Sequence, residues 1–295
     1  MSGKSVLFVA LAVVTAVFLV HWFRRGREAR AIADADNRGP SLLEIALGFV
    51  TNFFDTLGIG SFAPTTTVFK LRHLVPDERI PGTLNVGHTP PTVVQAFIFI
   101  AIVAVDLTTL IALIAAAVAG AWFGAGVVSG WPRRNIQIGM GAALLVAAVL
   151  FAMSNLGLFP LGGEALELQG FRFGAGVVGN FILGALMTLG IGLYAPCMIL
   201  VSLLGMDPKA AFPIMMGSCA FLMPVGSLRF IDRGSYSLGP ALGLAIGGVP
   251  AVLIAVYIVK SLPLTAVRWL VAIVVLYAAA MMLRSAFSSR GAAGA

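Results

Sequence analysis

The sequence predicts an all-α polytopic membrane protein with an inverted-topology repeat and two re-entrant or broken-helix hairpins. About seven full spans plus the two hairpins make about nine membrane helices. Three observations carry this. Of 295 residues, 59% are hydrophobic and only 11% charged, whereas soluble domains carry charge on about a quarter. Thirty-four Gly and fifteen Pro lie in this apolar chain, and each frees or removes backbone hydrogen bonds that lipid cannot replace. Finally, one glycine- and proline-bearing stretch occurs twice.

The elements follow in order. Ser5 to Phe23 is an apolar run of spanning length with Lys4 before it and Arg24, Arg25, Arg27 and Arg30 after it. His21, Trp22 and Phe23 stand where a signal peptidase would need small residues, so a retained anchor is expected. The arginines place its N-terminus outside and a basic linker, Arg24 to Pro40, in the cytoplasm. Next, Thr56-Leu57-Gly58-Ile59-Gly60 and Ala63-Pro64 recur as Thr188-Leu189-Gly190-Ile191-Gly192 and Ala195-Pro196, 132 residues on. Leu71, Pro76 and Pro81 meet Leu203, Pro208 and Pro213, giving ten identities in 26 ungapped positions. The chain therefore divides into an anchor and linker (1–39), a first repeat (40–159), an extracytoplasmic linker (160–169), a second repeat (170–288) and a tail (289–295).

Each repeat opens with a hydrophobic stretch broken at Gly-x-Gly and restarted at Ala-Pro. The stretch from Ser41 to about His73 is too short to cross twice, which needs about 40 residues. After each break come three ordinary spans: about Thr83 to Val105, Leu107 to Gly130 and Asn135 to Leu158, then Ala211 to Ile231, Leu238 to Val259 and Leu264 to Ala286. If the broken stretch returns to its own side, Lys70, Arg72, Arg79, Arg133 and Arg134 fall inside, and Asp106, Glu164 and Glu167 outside. If it crosses, the arginines move outside, against the positive-inside rule. Hairpins are therefore expected, with three spans per repeat and opposite orientation of the two halves.

Non-helical backbone at bilayer depth survives where it lines a cavity, and Gly58, Gly60, Gly190 and Gly192 supply the freedom a hairpin tip requires. Pro64 and Pro196 suit the first turn of a restarting half-helix. The free N–H groups of that turn, with the positive end of the helix dipole, form an anion site without a buried cation. Ser61 and Thr65 to Thr67 at the first tip, and Tyr194 and Cys197 at the second, add donors. A second interrupted region, Pro81 to Pro91 against Pro213 to Pro224, offers Asn85, His88, Thr89 and Ser218. Small residues of this kind also serve helix packing, and each polar residue also serves as a cap or interhelical bond. Asp55 has no acidic counterpart, Met187 standing 132 residues on, and it is the candidate coupling residue. Glu44 completes a Ser41-x-x-Glu44 capping box. Arg229 reads as a snorkelling or anion-recruiting residue.

The duplicated Thr-Leu-Gly-Ile-Gly-x-x-Ala-Pro pattern and two-half layout resemble the TauE/SafE (TSUP) family of sulfite exporters. That resemblance covers nearly everything except the leading anchor and its linker. It implies transport of a small sulfur-containing or organic anion, such as sulfite, sulfoacetate or a similar sulfonate, across a bacterial inner membrane. The N-terminus would be extracytoplasmic and the C-terminus cytoplasmic. The expected partners are a small anion and the lipid bilayer, with a homodimer left open. No nucleic acid is expected, because basic residues at span ends account for the net charge of +7. Cys197 and Cys219 give neither a disulfide framework nor a metal spacing, and no catalytic group, metal or cofactor is expected. Three rivals stay open: proton-coupled uptake through the same site, a membrane enzyme acting on a lipid phosphate, and a ligand-free scaffold.

Overall fold

The computed structural model describes residues 3–31, 39–128, 130–158, 163–190, 192–258, 280 and 283. Among these, the regular elements are helices: α1 (Gly3–Ala31), α2 (Leu42–Thr56), α3 (Phe62–Leu71), α4 (Ile80–Ile102), α5 (Leu107–Val128), α6 (Arg133–Asn155), α7 (Gly170–Met187), α8 (Tyr194–Leu203), α9 (Ala211–Asp232) and α10 (Leu238–Ile258). Short 3-10 turns, Asp77–Arg79 and Pro208–Ala210, precede α4 and α9. The expected last span, Leu264 to Ala286, lies outside the described residues apart from 280 and 283.

Five helices are long and apolar enough to cross a membrane: α1, α5, α7, α9 and α10. The protein is a multi-pass membrane protein. On α1 the side chains sort by face as a bilayer requires. Val6, Val9, Val13, Val17 and Val20 are exposed, while Leu7, Leu11, Phe18 and Trp22 are buried against the bundle. α1 continues to Ala31, so the first part of the expected linker is helical. α2 begins with the anticipated capping box, Glu44 Oε2 accepting from the Ser41 N–H at 2.7 Å and Ser41 Oγ from the Glu44 N–H at 3.3 Å.

The interior is formed by α4 and α9, which pack on each other. Around them, α2 lies along α10 and α7 along α5. Both outer contacts run through glycine. A methyl placed on Gly247 would collide with the Ile45 carbonyl oxygen, and one on Gly120 with that of Phe181. Helix boundaries recur with the same spacing as the sequence motif, α3 at 62–71 and α8 at 194–203.

Two ends of the bundle are tied separately. At one, His21 Nε2 meets Asp232 Oδ1 at 2.8 Å, Arg233 donates to the Gly126 carbonyl at 3.2 Å, and the Ser237 N–H donates to Thr83 Oγ1 at 3.0 Å. At the other, the Asp106 N–H donates to the Leu166 carbonyl at 2.9 Å and the Asp207 N–H to that of Ala165 at 2.8 Å.

One sequence expectation fails here. The stretch Pro81 to Pro91 does not interrupt its span, because α4 is helical through Pro90 and Pro91, and α9 through Pro224. Side-chain hydroxyls and amides inside α4 turn back on the previous turn. Thr83 Oγ1, Asn85 Nδ2 and Thr89 Oγ1 donate to the carbonyls of Arg79, Pro81 and Asn85 at 2.7–2.8 Å. Such bonding commits these donors within the helix itself.

Candidate functional site

The real breaks lie between α2 and α3 and between α7 and α8. After Thr56 the backbone turns through Gly58 (φ +83°) and Gly60 (φ +88°), and after Met187 through Gly190 (φ +92°). This left-handed region is open to glycine and costly for other residues. Pro64 and Pro196 stand third in α3 and α8, within the first turn, where a missing N–H costs no helical bond.

Both tips meet at one buried cavity. The first tip contributes Asp55, Gly60, Ser61 and Phe62, and the second Met187, Gly192, Leu193 and Tyr194. These are four pairs of positions, each 132 residues apart. Thr92 of α4 and Cys219 and Met223 of α9 complete the wall. Among the described residues, a Cβ added at Gly60 or Gly192 would meet nothing within 4 Å, so both glycines border open space there. The cavity is small, with about 10 Å³ of room, about the space of one water.

Its polar chemistry centres on Asp55, which is only 3% exposed. The N–H and hydroxyl of Ser61, the Gln95 amide and the Tyr194 hydroxyl surround its carboxylate. Gln95 Nε2 donates to Asp55 Oδ2 at 2.9 Å and to Thr56 Oγ1 at 3.0 Å, while its Oε1 accepts from the Tyr194 hydroxyl. Ser61 is the N-cap of α3. The carboxylate therefore stands at the positive end of a half-helix, which favours negative charge.

Of the residues chosen from sequence, Asp55, Gly60, Ser61, Gly192 and Tyr194 line the cavity. The others are elsewhere. A methyl placed on Gly58 would lie 3.7 Å from the Phe212 ring, and one on Gly190 would lie 3.2 Å from the Met140 side chain. Thr65 and His88 belong to a brace between α2, α3 and α4. His88 Nδ1 meets Asn52 Oδ1 and Nε2 meets Thr65 Oγ1, both at 3.1 Å. Asn52 Nδ2 is already committed to the Gly48 carbonyl, so Oδ1 accepts and His88 carries its proton on Nδ1. Asn85 bonds back to Pro81, and Ser218 Oγ accepts from Asn180 Nδ2 at 2.9 Å. Cys197 is buried in the hydrophobic core, and Cys219 takes the wall position instead. Pro64 and Pro196 shape the tips without lining the cavity. Arg229 lies over the Trp122 ring, 3.9 Å from its centroid, far from the tips along α9.

Sequence reasoning missed Gln95, Thr92, Cys219, Met187 and Met223. Gln95 carried the one available signal, an uncharged amide in the apolar half of a span.

A chain whose described elements are helices, five of them of spanning length, with two helix breaks meeting at a small buried cavity, is a multi-pass membrane protein. The chain belongs to the sulfite exporter TauE/SafE family, whose model matches residues 2–151. The match takes in α1, which the sequence resemblance had left out, and ends within α6. No curated protein and no solved structure matches. The family is one of transporters.

Proposed function

We propose that the protein is a secondary transporter that carries a small sulfur-containing or organic anion, such as sulfite or a sulfonate, through the cavity between its two tips, with export favoured. One observation carries this reading: the four tip positions of each half that border the cavity are equivalent in the repeat. Paired, interrupted helices meeting at a shared cavity are the arrangement by which inverted-repeat transporters hold substrate. The contacts α2 with α10 and α7 with α5 support an inverted repeat, because each half's first helix lies along the other half's equivalent partner. Ser61 N–H, Gln95 and Tyr194 are the donors for sulfur or carboxyl oxygens.

The end holding Arg25, Arg229 and Arg233 is assigned to the cytoplasm of a bacterial inner membrane, and the end holding Asp106, Glu164 and Asp207 to the outside. The N-terminus is then extracytoplasmic. With about 100 mV negative inside, each net negative charge exported gains roughly 2.3 kcal/mol. A vestibule of about 400 Å³ on the outer end, lined by Phe99, Phe212 and Lys209 among others, is the exit. Phosphoryl transfer would require a cationic clamp, and none of the described wall residues is cationic.

The test is flux in proteoliposomes against sulfite, sulfate, thiosulfate, sulfoacetate, taurine and simple carboxylates. Transport of at least one anion, abolished in folded Gly60→Leu and Gly192→Leu variants, is expected. Unchanged flux in both variants, or no flux of any anion, overturns the reading.

A further inference from the structure

Asp55 occupies the place that an anion would take. It is buried at the N-terminus of α3 and surrounded by Ser61, Gln95 and Tyr194, and no described residue of the cavity wall is cationic. Its counterpart in the second half is Met187, which faces the same cavity. One tip thus carries its own negative charge and the other does not.

We propose that Asp55 is a proton site, and that a dianion enters the cavity only with one proton on this carboxyl, so that one proton travels with each substrate anion. This rests on the anion site proposed above. Two negative charges about 4 Å apart in a partly screened interior repel enough to cost on the order of a thousandfold in affinity. No neighbour offsets that cost. On α4, His88 is held between Asn52 and Thr65. On α3, Lys70 is tied to Asp77 at the far end. Tyr194 and Cys197 of α8 and Cys219 of α9 are neutral when protonated. Arg229 of α9 is stacked on Trp122, and the described part of α10, which lies along α2, has no charged residue.

The step is a protonation alone. A proton adds to the Asp55 carboxylate, the N–H and O–H donors it held turn to the incoming anion, and the new carboxyl O–H donates to one anion oxygen. When the anion leaves, the proton leaves and the carboxylate takes back its donors, so the empty site stays filled by a tethered negative group. The charge count follows. A dianion with one proton carries a single net negative charge and is expelled by an inside-negative potential, whereas a monoanion with one proton carries none.

The experiment uses proteoliposomes of the full chain, loaded with sulfoacetate, a dianion that does not itself buffer near neutral pH. An internal pH dye follows the lumen at a clamped potential, and parallel vesicles hold sulfite. For the wild type, one proton leaves per sulfoacetate, the lumen turns alkaline, and flux falls about tenfold per pH unit once the carboxyl is mostly ionised. Asp55→Asn is expected to alter the rate of flux and to lose both proton movement and pH dependence, the latter also in sulfoacetate binding followed by thermal shift. Asp55→Glu is expected to keep both. Sulfoacetate flux without proton movement in the wild type overturns this proposal and leaves the anion site standing, as does proton coupling that persists in Asp55→Asn. Where another dianion of the flux screen is carried in place of sulfoacetate, the same proton count is made with it; absence of flux with every anion of that screen overturns the anion site and this proposal with it.

Discussion

The Tyr194 hydroxyl at the start of α8 donates to Gln95 Oε1, and through that amide the second tip is joined to Asp55 of the first. One side chain on α4 thus spans the two chain reversals. Removing either partner leaves a buried polar atom without its bond, which costs about 1–3 kcal/mol. Tyr194→Phe should therefore lower the melting temperature by a few degrees and slow anion flux. Gln95→Leu, which deprives Asp55, Thr56 and Tyr194 together, should be the more damaging change on both measures. Equal effects would mean that the amide nitrogen contributes nothing.

The two cavity glycines should both report on transport. Gly192 has open space before it among the described residues, so Gly192→Ala tests whether that space is used. Its methyl projects into a space with room for about one water and should reduce flux. Gly60 has φ +88°, where a side chain costs about 1–2 kcal/mol, so Gly60→Ala should lose both stability and flux. A stable, fully active Gly192→Ala would place the route elsewhere.

The stacked rings of Phe99 and Phe212, 5.5 Å apart, line the larger vestibule, and a methyl placed on Gly58 of the first tip would come within 3.7 Å of the Phe212 ring. Truncation should open a path between vestibule and cavity. Phe212→Ala is expected to raise anion leak in vesicles and to make an introduced Gly60→Cys accessible to a membrane-impermeant thiol reagent from the vestibule side. No gain in labelling would show that the rings close nothing.

How much of this was legible in the sequence differs by residue. The breaks were, because Gly-x-Gly followed by Ala-Pro can be neither a straight helix nor a second crossing at that length, and helices do end at Thr56 and Met187 and restart at Phe62 and Tyr194. Ser61 and Tyr194 came with the breaks as residues of the restarting turn. Gln95 did not, since its role depends on which face of α4 meets both tips, and that follows from helix packing across about a hundred residues of chain. His88 and Asn85 misled for the converse reason. A polar residue in an apolar span must satisfy its bonds somewhere, and sequence does not distinguish a bond to the previous turn or a neighbouring helix from one to a ligand.

His88 is accordingly expected to matter for folding rather than for pH response. His88→Ala strands Asn52 Oδ1 and Thr65 Oγ1 in the interior and should cost on the order of 2–5 kcal/mol. His88→Gln, which can still serve one of the two, should cost less and leave the pH profile of flux unchanged. A shifted profile in His88→Gln would bring the imidazole into the coupling scheme.

Lys70 and Asp77 form a buried ion pair at 2.6 Å, and Gln137 Nε2 of α6 donates to the same carboxylate oxygen at 2.7 Å. The pair fastens the end of α3 to the turn before α4 and to α6, so it holds the half-helix whose other end faces the cavity. Losing one partner leaves a buried charge and should cost about 3–5 kcal/mol, whereas replacing both with apolar groups of similar size is often neutral. Asp77→Leu should therefore melt well below the parent, and Lys70→Met combined with Asp77→Leu should recover much of the difference. If the pair serves only to anchor α3, the double variant should transport at close to the parental rate once folded. A stable but inactive double variant would instead make the pair part of the transport cycle, with its opening and closing coupled to movement of the first tip.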